Sequence, residues 1–281
     1  MNKIFFLLII VPILFLIFFS GELFEEKNEI KYTEIPIPES LFKIIAPSST
    51  LSIDQVTQII TYEQAVFQLK PEFSEIYSKI GYKNNEKSNV AVIYPTFTES
   101  AYSTNGFYDY YTSDCDESCL SVSIQENFEG EYESSRAAHR VLKLLGYETI
   151  TDIEVDKDPT ILEKFEKIIL LHNEYVTKKE FDAITAHPNV VYLYPNALYA
   201  EISANYETNV IKLIRGHGYP SSSIDNGFNW KYENTRPYEF DNICQNWEFY
   251  EISNGYMLNC YPEHIIFQDQ KLLQTIKELS K

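Results

Sequence analysis

His172, Asn173, Glu174 and Tyr175 stand side by side, directly after the apolar run Ile168-Ile169-Leu170-Leu171. An imidazole and a carboxylate two positions apart can form a general base with its orienting partner, or supply two ligands to a metal ion. In extended chain both point to the same side. The apolar run is too short for a helix and reads as a buried strand. Thr177 and Glu180 then have the spacing of a capping box, so a helix should start there. The polar cluster is therefore expected at the carboxyl end of a strand, where open α/β sheets bind ligands. On this reading His172 and Glu174 are the candidate catalytic residues. The competing reading is structural: both side chains could simply hydrogen-bond loop backbone and fix the strand-to-helix turn.

A second cluster is "RGHGYP", Arg215 to Pro220, where glycines flank His217. Glycines allow backbone to approach a neighbour closely. If the strand before this turn lies near the first, His217 joins His172 and Glu174 as a set of two histidines and one carboxylate; otherwise it is an ordinary tight turn. Tyr175 and Asn196, the latter after "YLYP", are candidate ligand-binding residues, with loop capping as the alternative for Asn196. The tyrosines of "FYDYY", Phe107 to Tyr111, could stack on a surface glycan or a protein partner, or form a loop core. The sequence leaves open whether the chain binds a cofactor or a metal.

The chain has 281 residues, 44% hydrophobic and 15% aromatic, enough for a substantial core. Its net charge of −18 argues against nucleic acid, which needs clustered cations. An uncharged run, Ile4 to Phe19, follows Lys3 and precedes Glu22, Glu25 and Glu26. The poor cleavage site at its end favours an uncleaved membrane anchor over a signal peptide. Positive residues before and acidic residues after it place the bulk of the chain outside the cell membrane in a single-pass topology. An oxidising exterior suits two disulfides, Cys115 with Cys119 and Cys244 with Cys260.

The expected organisation runs from an anchor (1–21) through an extended, proline-punctuated tether (22–50) and a pair of short helices (51–86) to an α/β domain (87–281). Within that domain, strands "NVAVIYP", "KIILL" and "NVVYLYPN" alternate with helices, among them "SSRAAHRVLKLLG" and "KKEFDAITAH". This alternation predicts a mostly parallel sheet with helices on both faces. Further on, "YAEIS", "NVIKLI", "FNWKYEN" and "WEFYEISNGYMLNCY" read as antiparallel strands, the last a hairpin turning at Asn254-Gly255 with a type I′ turn. "QDQKLLQTIKELS" closes the chain as a helix.

"IILLHNEYVTKKEFDAI" followed by "VVYLYPNALY" resembles the glutamine amidotransferase-like domain in the large subunit of N,N-dimethylformamidase. There a strand ends in His-x-Glu-Tyr, a helix follows, and the next strand ends in Asn. His172, Glu174, Tyr175 and Asn196 match that pattern over roughly Val90 to Tyr199. The resemblance implies a class I amidotransferase-like, flavodoxin-like α/β fold. It departs from a working amidotransferase in lacking a cysteine at a strand-to-helix elbow. The expectation is thus an outward-facing domain for ligand binding or surface assembly, with a hydrolase of C–N or glycosidic bonds, possibly metal-assisted, as the alternative.

Overall fold

The structure is a computed structural model that describes residues 30–53, 60–61, 65–82, 88–125, 135–230 and 243–279. The anchor segment 1–21 lies outside the described residues. Among the described residues no helix is long and apolar enough to cross a membrane.

The described residues begin with strands β1 (Tyr32–Glu34), β2 (Phe42–Pro47), β3 (Ser52–Ile53), β4 (Ile60–Thr61) and β5 (Val66–Leu69), then helix α1 (Ser74–Ile80). Next come β6 (Val90–Tyr94), α2 (Thr96–Ala101), α3 (Phe107–Tyr111), β7 (Ser121–Ser123), α4 (Arg136–Leu144), β8 (Glu148–Thr151) and α5 (Asp152–Lys157). After these come β9 (Lys167–Leu170), β10 (Tyr175–Thr177), α6 (Lys178–Ala186), β11 (Val190–Tyr192), β12 (Ala200–Asn205) and β13 (Val210–Arg215). The chain ends with β14 (Phe249–Ile252), β15 (Gly255–Leu258) and α7 (Gln270–Leu279).

The protein is α/β, with mixed sheets and helices. The main sheet has the order β14-β15-β11-β9-β6-β8; every pairing from β15 to β8 is parallel and β14 is an antiparallel edge. Counting the parallel strands in chain order gives 2-1-3-4-5, with the order reversing between β6 and β9. Successive residues of β9 enter opposite cores. Ile169 and Leu171 pack with α4 and α7, whereas Ile168 and Leu170 pack with α5 and α6. Strand β6 divides the same way, so helices cover both faces and the strands read as unbroken apolar runs.

A second sheet, β10-β12-β13-β7, stands apart from the first, with β10 parallel to β12 and the other pairs antiparallel. It carries its own apolar layer, in which Phe97, Phe107, Tyr175, Ile202 and Leu213 meet. "YAEIS" and "NVIKLI" thus form a separate sheet, while the hairpin extends the main one. Phe228 to Trp230 form no strand, and the remainder of "FNWKYEN" lies outside the described residues.

Three expectations are corrected. The described part of the tether is structured: β1, β2 and β5 form an antiparallel sheet that buries Phe42, Ile44 and Ala46 in the main core. The first of the two short helices is replaced by β3, β4 and β5, because pairing of β5 with β2 buries Phe67 and overrides the local helical spacing. Its proposed cap partner Gln55 lies outside the described residues. The second helix, α1, is present. Finally, the Asn254-Gly255 hairpin forms, but Asn254 does not have the positive φ of a type I′ turn. Gly255 is required for another reason: a Cβ there would lie 1.8 Å from the Val190 carbonyl oxygen.

Candidate functional site

Strands β6 and β9 lie where the order of the parallel strands reverses, and the segments leaving their carboxyl ends must diverge there. Leu171 and His172 continue from β9, and α2 starts two residues after β6. The Thr98 hydroxyl oxygen of α2 accepts hydrogen bonds from the backbone N–H groups of Glu174 (2.9 Å) and Tyr175 (3.1 Å). One side chain therefore satisfies two buried amides and fixes where the Glu174 carboxylate points. The Glu174 carbonyl accepts from the N–H groups of Tyr199 and Ala200, each at 2.9 Å, which ties the loop to β12.

The carboxylate is fully buried and surrounded. Its Oε1 accepts from His217 Nε2 at 2.5 Å, and its Oε2 accepts from the Tyr102 hydroxyl at 2.6 Å. His172 Nε2 stands 3.5 Å from Oε2, an ion-pair distance rather than a short hydrogen bond. Burial pushes the Glu174 carboxyl upward. The charge and hydrogen bond of His217, then His172 and Tyr102, outweigh it and hold the group below the ordinary glutamate range. Burial, opposed by Glu174 and reinforced by His217, holds His172 below the ordinary imidazole range.

His217 reaches this position through an unusual turn. Its own φ is +50°, and Gly216 and Gly218 have φ of +122° and +75°. A Cβ at Gly216 would lie 2.9 Å from the Ala200 Cβ, so the turn packs against β12 only with glycine there. The His217 ring stacks on Tyr175, centroids 5.3 Å apart, and abuts Tyr199 at 4.5 Å and Tyr111 at 4.8 Å. On the far side His172 stacks on Tyr194 at 5.5 Å and meets Tyr261 edge-on at the same distance.

The structure thus brings His172, Glu174, Tyr175 and His217 together. His217 does not arrive from a strand beside β9; it comes across the second sheet, through β10, β12 and β13. Asn196 is buried in the segment between β11 and β12, and the hydrogen bonds just described are made by other residues. Tyr102 and Thr98 were not among the sequence candidates. The rule that pointed to His172, polar residues just beyond a parallel strand, applies equally to the segment after "NVAVIYP". Of "FYDYY", Phe107 is buried in the second core and Tyr111 is half-exposed beside His217.

His217 also lines an open depression of about 630 Å³, which it shares with Tyr110, Tyr111 and the Cys115 loop. Since Nε2 is held by Glu174, Nδ1 is its remaining ring nitrogen, and no hydrogen bond from the described residues engages it. A carboxylate that fixes one imidazole nitrogen fixes the tautomer and leaves the other as the proton acceptor. Among the described residues no group of three or more His, Cys, Asp or Glu side chains is arranged to hold a metal ion. Cys115 is bonded to Cys119 and Cys244 to Cys260, as the local pairing predicts. No protein-family model and no curated protein matches the chain.

Proposed function

We propose that the chain is an outward-facing, membrane-anchored domain of the amidotransferase-like kind that hydrolyses C–N bonds, with His217 as general base and Glu174 as its orienting carboxylate. The observation that carries this reading is the 2.5 Å bond between His217 Nε2 and the buried Glu174, made by a histidine that lines an open depression. The strand order 2-1-3-4-5 and the placement of the cluster at the reversal point support the amidotransferase-like fold. Amidotransferase thiol chemistry has no support, since all four cysteines are paired.

In the proposed step, Nδ1 of His217 takes a proton from a water as that water attacks an amide carbonyl. Glu174 stabilises the imidazolium, which then protonates the departing amine. Glycoside hydrolysis fits less well than in the sequence reading. It needs two carboxylates flanking the scissile bond, and Glu174 is enclosed by two histidines and Tyr102. The role of His172 moves accordingly: it is fully packed among tyrosines and acts through Glu174. A ligand-binding module without turnover is the second reading, favoured by the complete burial of Glu174 and His172.

The test is release of free amine from a panel of small amides. The wild type should release amine, and His217→Asn should lose activity by about a hundredfold or more, the typical contribution of a general base. Absence of release by the wild type, with retained ligand binding, would favour the binding module.

A further inference from the structure

The depression beside His217 is chemically one-sided. Asp114, Asp116 and Asp225 line it together with Tyr110 and Tyr111, and no lysine or arginine does. Asp114 accepts from the Thr112 hydroxyl at 2.8 Å, and Asp116 accepts from the Ser118 N–H at 2.9 Å. Neither bond neutralises a charge, and none of these carboxylates has an ion-pair partner among the described residues. Repulsion among anions that are not compensated raises the local preference for a cation.

The acidic rim is accompanied by an independent feature. The His217 side chain is only 6% exposed, yet it forms part of the wall, and its Nδ1 makes no hydrogen bond to the described residues. A polar nitrogen of so little-exposed a side chain, without a protein partner among the described residues and at a cavity wall, is a position where a ligand atom or water is expected. The carboxylates are not gathered into a metal-binding group. Sharing the lining with Tyr110 and Tyr111, they suit a bulkier, weakly hydrated charge, since aromatic rings attract organic cations through their quadrupole.

We propose that this depression binds the ammonium group of an amine-bearing ligand beside His217. The inference rests on the reading of the Glu174–His217 pair as the centre of a site, and it names the substrate class: amides that carry a cationic amine. Salt should weaken the interaction, because the carboxylates face solvent.

The full-length chain in nonionic detergent can be titrated with butylammonium, butan-1-ol and calcium chloride while the imidazole NMR signals are followed. The chain has 5 histidines, and loss of one signal in His217→Asn assigns the relevant one. Butylammonium should move the His217 signal saturably, and butan-1-ol should not. The double substitution Asp114→Asn, Asp225→Asn should weaken the butylammonium response at least tenfold; Asp225→Asn alone serves if the double variant fails to fold. An equal response to butan-1-ol, unchanged affinity in the variants, no saturable shift, or a tighter response to calcium would each overturn the proposal. Binding is read without turnover, so the two readings fail separately. Ammonium binding without amine release leaves this proposal standing, whereas amine release with no preference for cationic amides removes it alone.

Discussion

Glu174 and His217 are 43 residues apart in the chain, and their side chains meet at 2.5 Å. Glu174 arrives at the end of a parallel strand, His217 in a left-handed turn between two glycines on the second sheet. The bond therefore spans the two sheets, and a change in either should be felt by both.

Acid lability follows from this pair. Glu174 has a folded pKa below its ordinary value of 4.5, so the unfolded chain binds more protons as the pH falls through that range. Its contribution is present above the unfolded value and lost as pH drops through the folded one. His172 acts in the same direction: held neutral, it costs stability as the pH falls below its ordinary 6.5. Thermal melts from pH 7 to pH 3 should show a decline that Glu174→Gln makes shallower, while lowering stability at pH 7 by about 3 kcal/mol for breaking a buried pair. A variant as acid-labile as the wild type would contradict the assignment.

Much of this fold is legible in the sequence, for local reasons. Ile168 to Leu171 read as a strand because both faces of β9 are buried, and Thr177 with Glu180 read as a helix start because the capping box is formed. The misreading of Ser52 to Leu69 has the opposite cause. Val56, Ile59, Ile60 and Val66 fit helical spacing, but the outcome for β5 depends on its partner β2 about twenty residues earlier, a pairing that no local pattern records. The site was half legible for the same reason. His172 and Glu174 are neighbours in sequence, while His217 and Tyr102 reach the carboxylate only through tertiary packing.

Alkaline pH should stress a different place. Asp152 and Glu180 are fully buried, and Asp152 Oδ1 and Glu180 Oε1 have no hydrogen-bond partner among the described residues. Burial first, and for Glu180 the neighbouring Asp152 charge, push both carboxyls well above their ordinary range. Their favourable state is protonated, so stability is fully present below the unfolded values and declines as pH rises toward the folded ones. Glu180→Gln keeps an oxygen for the Thr177 N–H and removes a charge. It should raise the melting temperature at pH 8 by roughly 2–4 °C, equivalent to about 1 kcal/mol. A drop at pH 8 would show that the carboxylate is needed as an anion.

The two disulfides should differ in worth. Cys244 and Cys260 are separated by 16 positions and Cys115 and Cys119 by 4. In the chain-entropy description the longer loop is worth roughly 3 kcal/mol and the shorter roughly 2 kcal/mol. Alanine pairs at each site, compared by denaturant titration, should reproduce that order. Cys244 and Cys260 are also buried in the main core, so cavity costs add to the difference.

Thr98 provides the sharpest test of how the site is positioned. Its hydroxyl oxygen is the acceptor for both the Glu174 and the Tyr175 N–H groups, and all three residues are wholly buried. Thr98→Val preserves the shape but strands two amides, each worth about 1–3 kcal/mol when left without a partner. Thr98→Ser restores the acceptor and loses only a methyl, so it should recover most of the stability. The two variants separate positioning from packing. If Thr98 orients Glu174, the His217 imidazole signal should shift in Thr98→Val and return toward the wild-type position in Thr98→Ser. Destabilisation by serine but not by valine, with the His217 signal unmoved in both, would mean that Thr98 matters for its methyl contact and that the carboxylate is aimed by His217, His172 and Tyr102 alone.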